Sequence, residues 1–251
     1  LKPSAPNPSV EAILHALIPY KFVDHTHADA VLSITNTPEG RKKINKIYDK
    51  RILIVPYVMP GFILAKTIAE LTKNIDWSSL IGMILLNHGV FSFGENAKTS
   101  YDRMIDIVSQ AEEFLKNKKV WRKYKKSTSK PDELTLAKIR KKASEMTGKP
   151  CIARLNYSAE AIGFSKLDAS KSLCLKGTLT PDHVIRTKPF AWIIKNNLNS
   201  SAKDFIRRYD SYFKKNSSKG IKKLDNGPKW ALWPKYGTVC FGASIKQAQI
   251  I

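Results

Sequence analysis

Apolar residues Val10, Ile13, Leu14 and Leu17 follow Ser9 at helical spacing and stop before Pro19, which predicts a short helix carrying Glu11 and His15. Phe22 to His27 reads as a strand and Ala28 to Ile34 as the helix after it. Arg51 to Tyr57 (RILIVPY) is an apolar, β-branched run fit for a buried strand, closed by a Met59-Pro60-Gly61 turn before a helix over Phe62 to Thr72. Gly82 to Leu86 and Val90 to Phe93 form two further strands about the turn Asn87-His88-Gly89. Tyr101, Met104, Ile105, Val108, Ala111 and Leu115 recur at spacings of three and four, predicting a long amphipathic helix between Asn96 and Leu115.

Past residue 131 the pattern resumes with a helix from Asp132 to Thr147, a strand from Cys151 to Leu155 and a helix from Ser201 to Asn216. Thr180 to Lys188 (TPDHVIRTK) has an ordinary helix start, with Thr180 as cap and Pro181 in the first turn. Gly237 to Gly242 (GTVCFG) has the spacing of no nucleotide-binding loop and reads as a strand–turn element. No internal repeat is visible. Strands interleaved with helices predict an α/β (α+β) architecture.

Composition changes this picture in one respect. Residues 1–115 carry 12 Lys+Arg against 12 Asp+Glu, so the remaining 31 and 9 of the chain's 43 and 21 fall in residues 116–251, which hold the whole net charge of +22. The charged stretch at 119–131 is the expected linker between a domain at 1–118 and a basic α/β domain at 132–251. Trp121 and Tyr124 among its cations would suit nucleic acid, but the lysines are spread over the second half without a recognition motif, so a nucleic-acid partner is not expected. Attraction of anionic sugar phosphates needs no dedicated patch. No apolar run approaches the roughly 20 residues of a membrane span, and Cys151, Cys174 and Cys240 lack any C-x-x-C spacing. A cytoplasmic protein without a membrane partner is the expectation. The start at Leu1, almost directly on motif residues, suggests a record truncated at its N-terminus.

The candidate chemistry lies in the first half. Side chains two apart on a strand share a face, so His25 and His27 can hold one ion, and His88, beside a glycine that permits close backbone approach, can supply a third nitrogen. Three neutral imidazoles leave a zinc position open for substrate. Glu11, one helix and one turn upstream, is the candidate acid/base. Hydrogen-bonded core histidines and a solvated helix glutamate fit the same spacing, which leaves both readings open.

Ser9-Val10-Glu11 with His15, Val23-Asp24-His25-Thr26-His27, and Leu85-Leu86-Asn87-His88-Gly89 followed by Gly94 together resemble the class II aldolase/adducin family. Pro8 to Thr37, Tyr57 to Phe62 and Gly177 to Lys188 look like one branch of it, the bifunctional rhamnulose-1-phosphate aldolase/short-chain dehydrogenase proteins. The resemblance implies a three-layer αβα sheet domain followed by a smaller α/β domain that would lead into a dehydrogenase. It implies zinc or another divalent metal on His25, His27 and His88, with Glu11 catalytic. The implied reaction is cleavage of a ketose 1-phosphate, L-rhamnulose 1-phosphate first, to dihydroxyacetone phosphate and L-lactaldehyde by a homo-oligomer. His183, Arg186 and Lys188 are candidate substrate-binding residues, since His183 and Arg186 at i, i+3 on a helix could meet a phosphate. The family's Gly-Gly-Asn-x-Ser phosphate segment would lie upstream of Leu1. Sugar-phosphate epimerisation on the same scaffold, or a non-catalytic adducin-like interaction module, are the alternatives.

Overall fold

The structure, a computed structural model, describes residues 4–120, 124 and 131–251, so most of the expected linker lies outside the described residues. The chain divides into two compact units, Leu1–Trp121 with Leu179–Pro181 and Arg122–Thr178 with Asp182–Ile251. Among the described residues no helix is long and apolar enough to cross a membrane.

The first unit runs α1 (Ala12–Leu17), β1 (Phe22–Thr26), α2 (Asp29–Thr35), α3 (Gly40–Tyr48), β2 (Ile52–Val55), α4 (Phe62–Leu71), β3 (Gly82–Leu85), β4 (Gly89–Gly94) and α5 (Ala97–Asn117). Its sheet has the order β1-β4-β3-β2, antiparallel except for the β2–β3 pair. Alternation along the strands sorts side chains onto two faces. Met83, Leu85, Phe91 and Phe93 meet Leu14 and Ile18 and the α4 residues Leu64 and Ile68 on one face. Ile84 and Val90 meet α2, α3 and α5 through Ile34, Tyr48 and Ile107 on the other. The result is three layers, α, β and α. β3 and β4 are buried along their whole length on both faces, and apart from Ser92, whose hydroxyl donates to the Ser100 carbonyl, they carry only apolar residues and glycine.

The second unit runs α6 (Glu133–Thr147), β5 (Ile152–Asn156), α7 (Ala159–Ser165), α8 (Ser170–Leu173), α9 (Pro181–Arg186), β6 (Trp192–Ile193), α10 (Leu198–Asn216), β7 (Trp230–Trp233), β8 (Gly237–Gly242) and α11 (Ile245–Ile250). Its sheet order is β5-β8-β7-β6, antiparallel except for the β6–β7 pair. Strand for strand this is the arrangement of the first unit. The sequence shows no internal repeat, yet the two units share one strand order, so the fold recurs where the residues do not. What persists is backbone geometry. Both strand-connecting hairpins carry a non-glycine residue at positive φ, Asn87 at 61° and Lys235 at 74°, and both sheets end on a glycine, Gly94 and Gly242, against which the next helix start packs tightly.

Several boundaries differ from the sequence expectation. α1 starts at Ala12 rather than directly after Ser9, so the cap residue is Glu11 instead of Ser9. α3 escapes the pattern because only Ile44, Ile47 and Tyr48 of it are apolar among charged residues. α10 begins three residues before Ser201, where the Asn197 side chain accepts the Ser200 amide. β6 is only two residues long, and neither it nor β7 (Trp230–Trp233) is expected from the sequence.

Candidate metal centre

β1 is an edge strand, and its alternation separates two jobs. Asp24 and Thr26 face α5, where Asp24 Oδ2 accepts a hydrogen bond from Ser100 Oγ (2.6 Å) and Thr26 Oγ1 donates to Met104 Sδ (3.2 Å). His25 projects to the opposite face, with its ring stacked on Phe91 of β4 at 4.0 Å. His27, just past the strand, lies beside it, with ring centroids 4.8 Å apart.

The β3–β4 hairpin brings in His88. Its backbone amide donates to the Leu85 carbonyl (3.1 Å), and the preceding Asn87 donates from its side chain to Asn36 Oδ1 (2.9 Å). The His88 ring is 2% exposed and lies 5.4 Å from that of His25 and 5.2 Å from that of His27. From the start of α1, Glu11 reaches both histidines, with Oε1 2.7 Å from His88 Nε2 and Oε2 3.5 Å from His25 Nε2. One ligand atom from each of Glu11, His25, His27 and His88 falls within 4.8 Å of the others.

The hydrogen bonding of this cluster fits a cation at its centre. His25 Nδ1 lies 2.8 Å from the Val90 carbonyl, which can only accept, so this nitrogen carries the proton and Nε2 presents a lone pair inward. That Nε2 stands 3.0 Å from His27 Nε2. Glu11 Oε1 is engaged by His88 Nε2 at 2.7 Å, whereas the buried His88 Nδ1 has no hydrogen-bond partner among the described residues. Buried polar atoms are ordinarily satisfied, and a divalent ion among three imidazoles and a carboxylate would engage the inward-facing set. Burial, partly opposed by the Glu11 charge, lowers the His25 pKa to about 4, which keeps its imidazole neutral near physiological pH. The hydrogen bond from His88 holds the Glu11 carboxyl below the usual carboxylate value, against burial and with help from the charges of the three histidines.

Sequence reasoning missed the parts that orient this set: the Val90 carbonyl, the Phe91 ring and the Asn36–Asn87 bond. Phe91 carries no sequence signal beyond apolarity, yet it lies between His25 and His15, whose ring meets it edge-on at 5.4 Å. The other expected site residues fall in the second half. His183 and Arg186 are exposed on α9. Lys188 is buried instead; its ammonium donates to the Asp225 backbone carbonyl, lies 3.5 Å from the Asp225 carboxylate and sits over the Tyr209 ring. Burial lowers its pKa to about 8.

Two family descriptions match the chain: "Class II Aldolase and Adducin N-terminal domain" over residues 2–115, and "Aldolase class II, second domain" over residues 130–251. The chain belongs to the class II aldolase/adducin family. A curated relative, the "Uncharacterized oxidoreductase YuxG" of Bacillus subtilis (strain 168), is 29% identical over 265 residues, covering 98% of this chain and 38% of that protein. The chain thus spans well under half of that relative's length. Among solved structures, the N-terminal class II aldolase domain of a conserved protein from Thermoplasma acidophilum is 50% identical, over 45% of this chain and 51% of that one, with a TM-score of 0.40. A sugar-phosphate aldolase from Thermotoga maritima is 24% identical, over 46% and 56%, with a TM-score of 0.37.

Proposed function

We propose that this chain is a zinc-dependent aldolase that cleaves a ketose 1-phosphate, with L-rhamnulose 1-phosphate the first candidate, to dihydroxyacetone phosphate and L-lactaldehyde. The observation that carries the reading is the convergence of Glu11, His25, His27 and His88, from three separate segments, within 4.8 Å in a family of class II aldolases. His25, His27 and His88 would hold the ion, which when bound would supply Lewis-acid polarisation of the substrate carbonyl. Glu11, held as a carboxylate by its histidine neighbours, takes the proton from the hydroxyl beside the breaking carbon–carbon bond and returns it to the carbon left behind. His183 and Arg186, exposed and one helical turn apart, are retained as candidates to meet the phosphate.

The same reading divides the chain into domains at 1–118 and 132–251 about a linker at 119–131, with a dehydrogenase part beyond it. The length of YuxG and the oxidoreductase in its name support that arrangement. Met59, Phe62 and Ile63, each well over half exposed, support a homo-oligomer, and three free cysteines fit the cytoplasm.

Elemental analysis tests the centre: one zinc per chain is expected in the parent and none after His27→Ala. Zinc retained by the variant, or absent from the parent, sinks the assignment. Glu11→Gln separates binding from proton transfer, since it should keep the zinc while turnover of L-rhamnulose 1-phosphate falls by roughly 10²–10⁴.

A further inference from the structure

The second unit repeats the frame of the first, and the strand register fixes which residues correspond. Phe22 pairs with Gly94 and Leu85 with Gly89, as Ile152 pairs with Gly242 and Trp233 with Gly237. The hairpin amides of His88 and Tyr236 donate to Leu85 and Trp233 in the same way. The buried hydroxyls of Thr35 and Ser165, at the ends of α2 and α7, each receive an amide from their own hairpin.

In this register the positions of His25, His27 and His88 hold Leu155, Tyr157 and Tyr236, so the metal-binding set is gone. Glu11 stands eleven residues before the first residue of β1 (22 − 11); the residue eleven before β5 (152 − 11) is Lys141. A carboxylate has given way to an ammonium. Lys141 is joined by Lys138 and Lys142 in a cleft of about 690 Å³ between α6 and the start of α10, lined also by Asn196, Asn197 and Asn199. These two helices occupy the places that α1 and α4 hold in the first unit. Glu145, paired with Lys142, is the one acid in the lining, so three lysines against one glutamate leave two positive charges in excess.

We propose that this cleft binds a phosphate dianion, as inorganic phosphate or as the phosphate group of a small phosphate ester. The net excess of two positive charges in the lining matches the charge of a phosphate monoester near neutral pH, and the asparagine amides supply donors beside the lysines. The positive end of the 19-residue α10 adds to the lysines without being needed to explain them. The second unit thus keeps the frame of the first, but none of the positions that match His25, His27 and His88 lines this cleft. This proposal stands independently of the metal reading, because no residue is common to both.

Calorimetric titration at fixed ionic strength tests it. Inorganic phosphate and glycerol 1-phosphate are each added to the full chain carrying His88→Ala, which removes anion binding at the metal centre. One saturable site is expected, weakened at least tenfold by Lys138→Ala with Lys141→Ala and unchanged by Lys214→Ala with Lys215→Ala, a control that removes equal charge at the far end of α10. Saturation by the ester alone identifies an ester ligand, and saturation by both identifies the phosphate group itself. No saturable site, or equal weakening by the control pair, overturns the proposal, since the binding would then be no more than the attraction of a basic surface.

Discussion

Gly89→Ala adds a single carbon where the sheet and the ligand set touch. A Cβ at this position would lie 2.6 Å from the Thr26 carbonyl oxygen, 2.8 Å from His25 Cε1 and 2.9 Å from His27 Cδ2. Against an ordinary contact distance of 3.4 Å, the shortfalls are 0.8, 0.6 and 0.5 Å. None of the three atoms can yield cheaply. One is backbone of the paired strand, and His25 is pinned by Phe91 on its face and the Val90 carbonyl at its edge. Relief must come from parting β1 and β4 near Thr26 or from turning both imidazoles off axis. Overpacking of this kind costs about 1–3 kcal/mol, a Tm lowered by roughly 4–10 °C for a unit of this size. Because both displaced rings would hold the metal, zinc affinity should fall by roughly 10–100-fold, as it does when the groups orienting a ligand are disturbed. Competition against a chromogenic chelator measures the affinity, and thermal denaturation with and without zinc separates it from stability. Parent-like zinc affinity together with a parent-like Tm would refute the packing argument.

Two further outcomes follow from the same centre. Since His25 titrates at about 4 when folded and at 6.5 when free, the unfolded chain binds a proton in that interval that the folded chain refuses. The stability due to neutral His25 is therefore complete above pH 6.5 and drains away as pH falls towards 4, amounting to about 3 kcal/mol in all. Denaturant titrations of metal-free protein at several pH values across that window should show His25→Phe with a shallower slope than the parent; equal slopes would contradict the burial argument. In the second unit, Leu155→His with Tyr157→His and Tyr236→His should raise the zinc content from one to two per chain, and a content unchanged in a folded variant would disprove the correspondence of the two hairpins.

The first unit was the more legible part because its central strands β3 and β4 are buried on both faces and its helices are amphipathic, so period alone located most of its elements. β1 and the 87–89 turn carried their histidines in plain view, Glu11 stood one helix and one turn upstream, and the family resemblance drew the four together. What sequence reading could not reach was the means of orientation. The Val90 carbonyl is backbone, and the stacking of Phe91 on His25 depends on a cross-strand register that emerges only when the sheet forms. The repeat escaped for a related reason. Gly89, Phe93 and Gly94 recur as Gly237, Phe241 and Gly242, but little else does, because a sheet order is preserved by apolar alternation rather than by particular residues. Lys188 shows the converse: a polar segment suggested an accessible cation, and only tertiary packing reveals that it points inward.

The edge position of β1 has a kinetic meaning. A strand held on one side only is among the first elements to open locally, at a free energy well below that of global unfolding. Opening β1 would withdraw His25 and His27 together and take Val90's grip from the imidazole in the same movement. The lifetime of the bound ion should therefore follow the opening rate of this one strand, and zinc exchange and amide hydrogen exchange along residues 22–26 should quicken in step whenever the β1–β4 pairing is loosened.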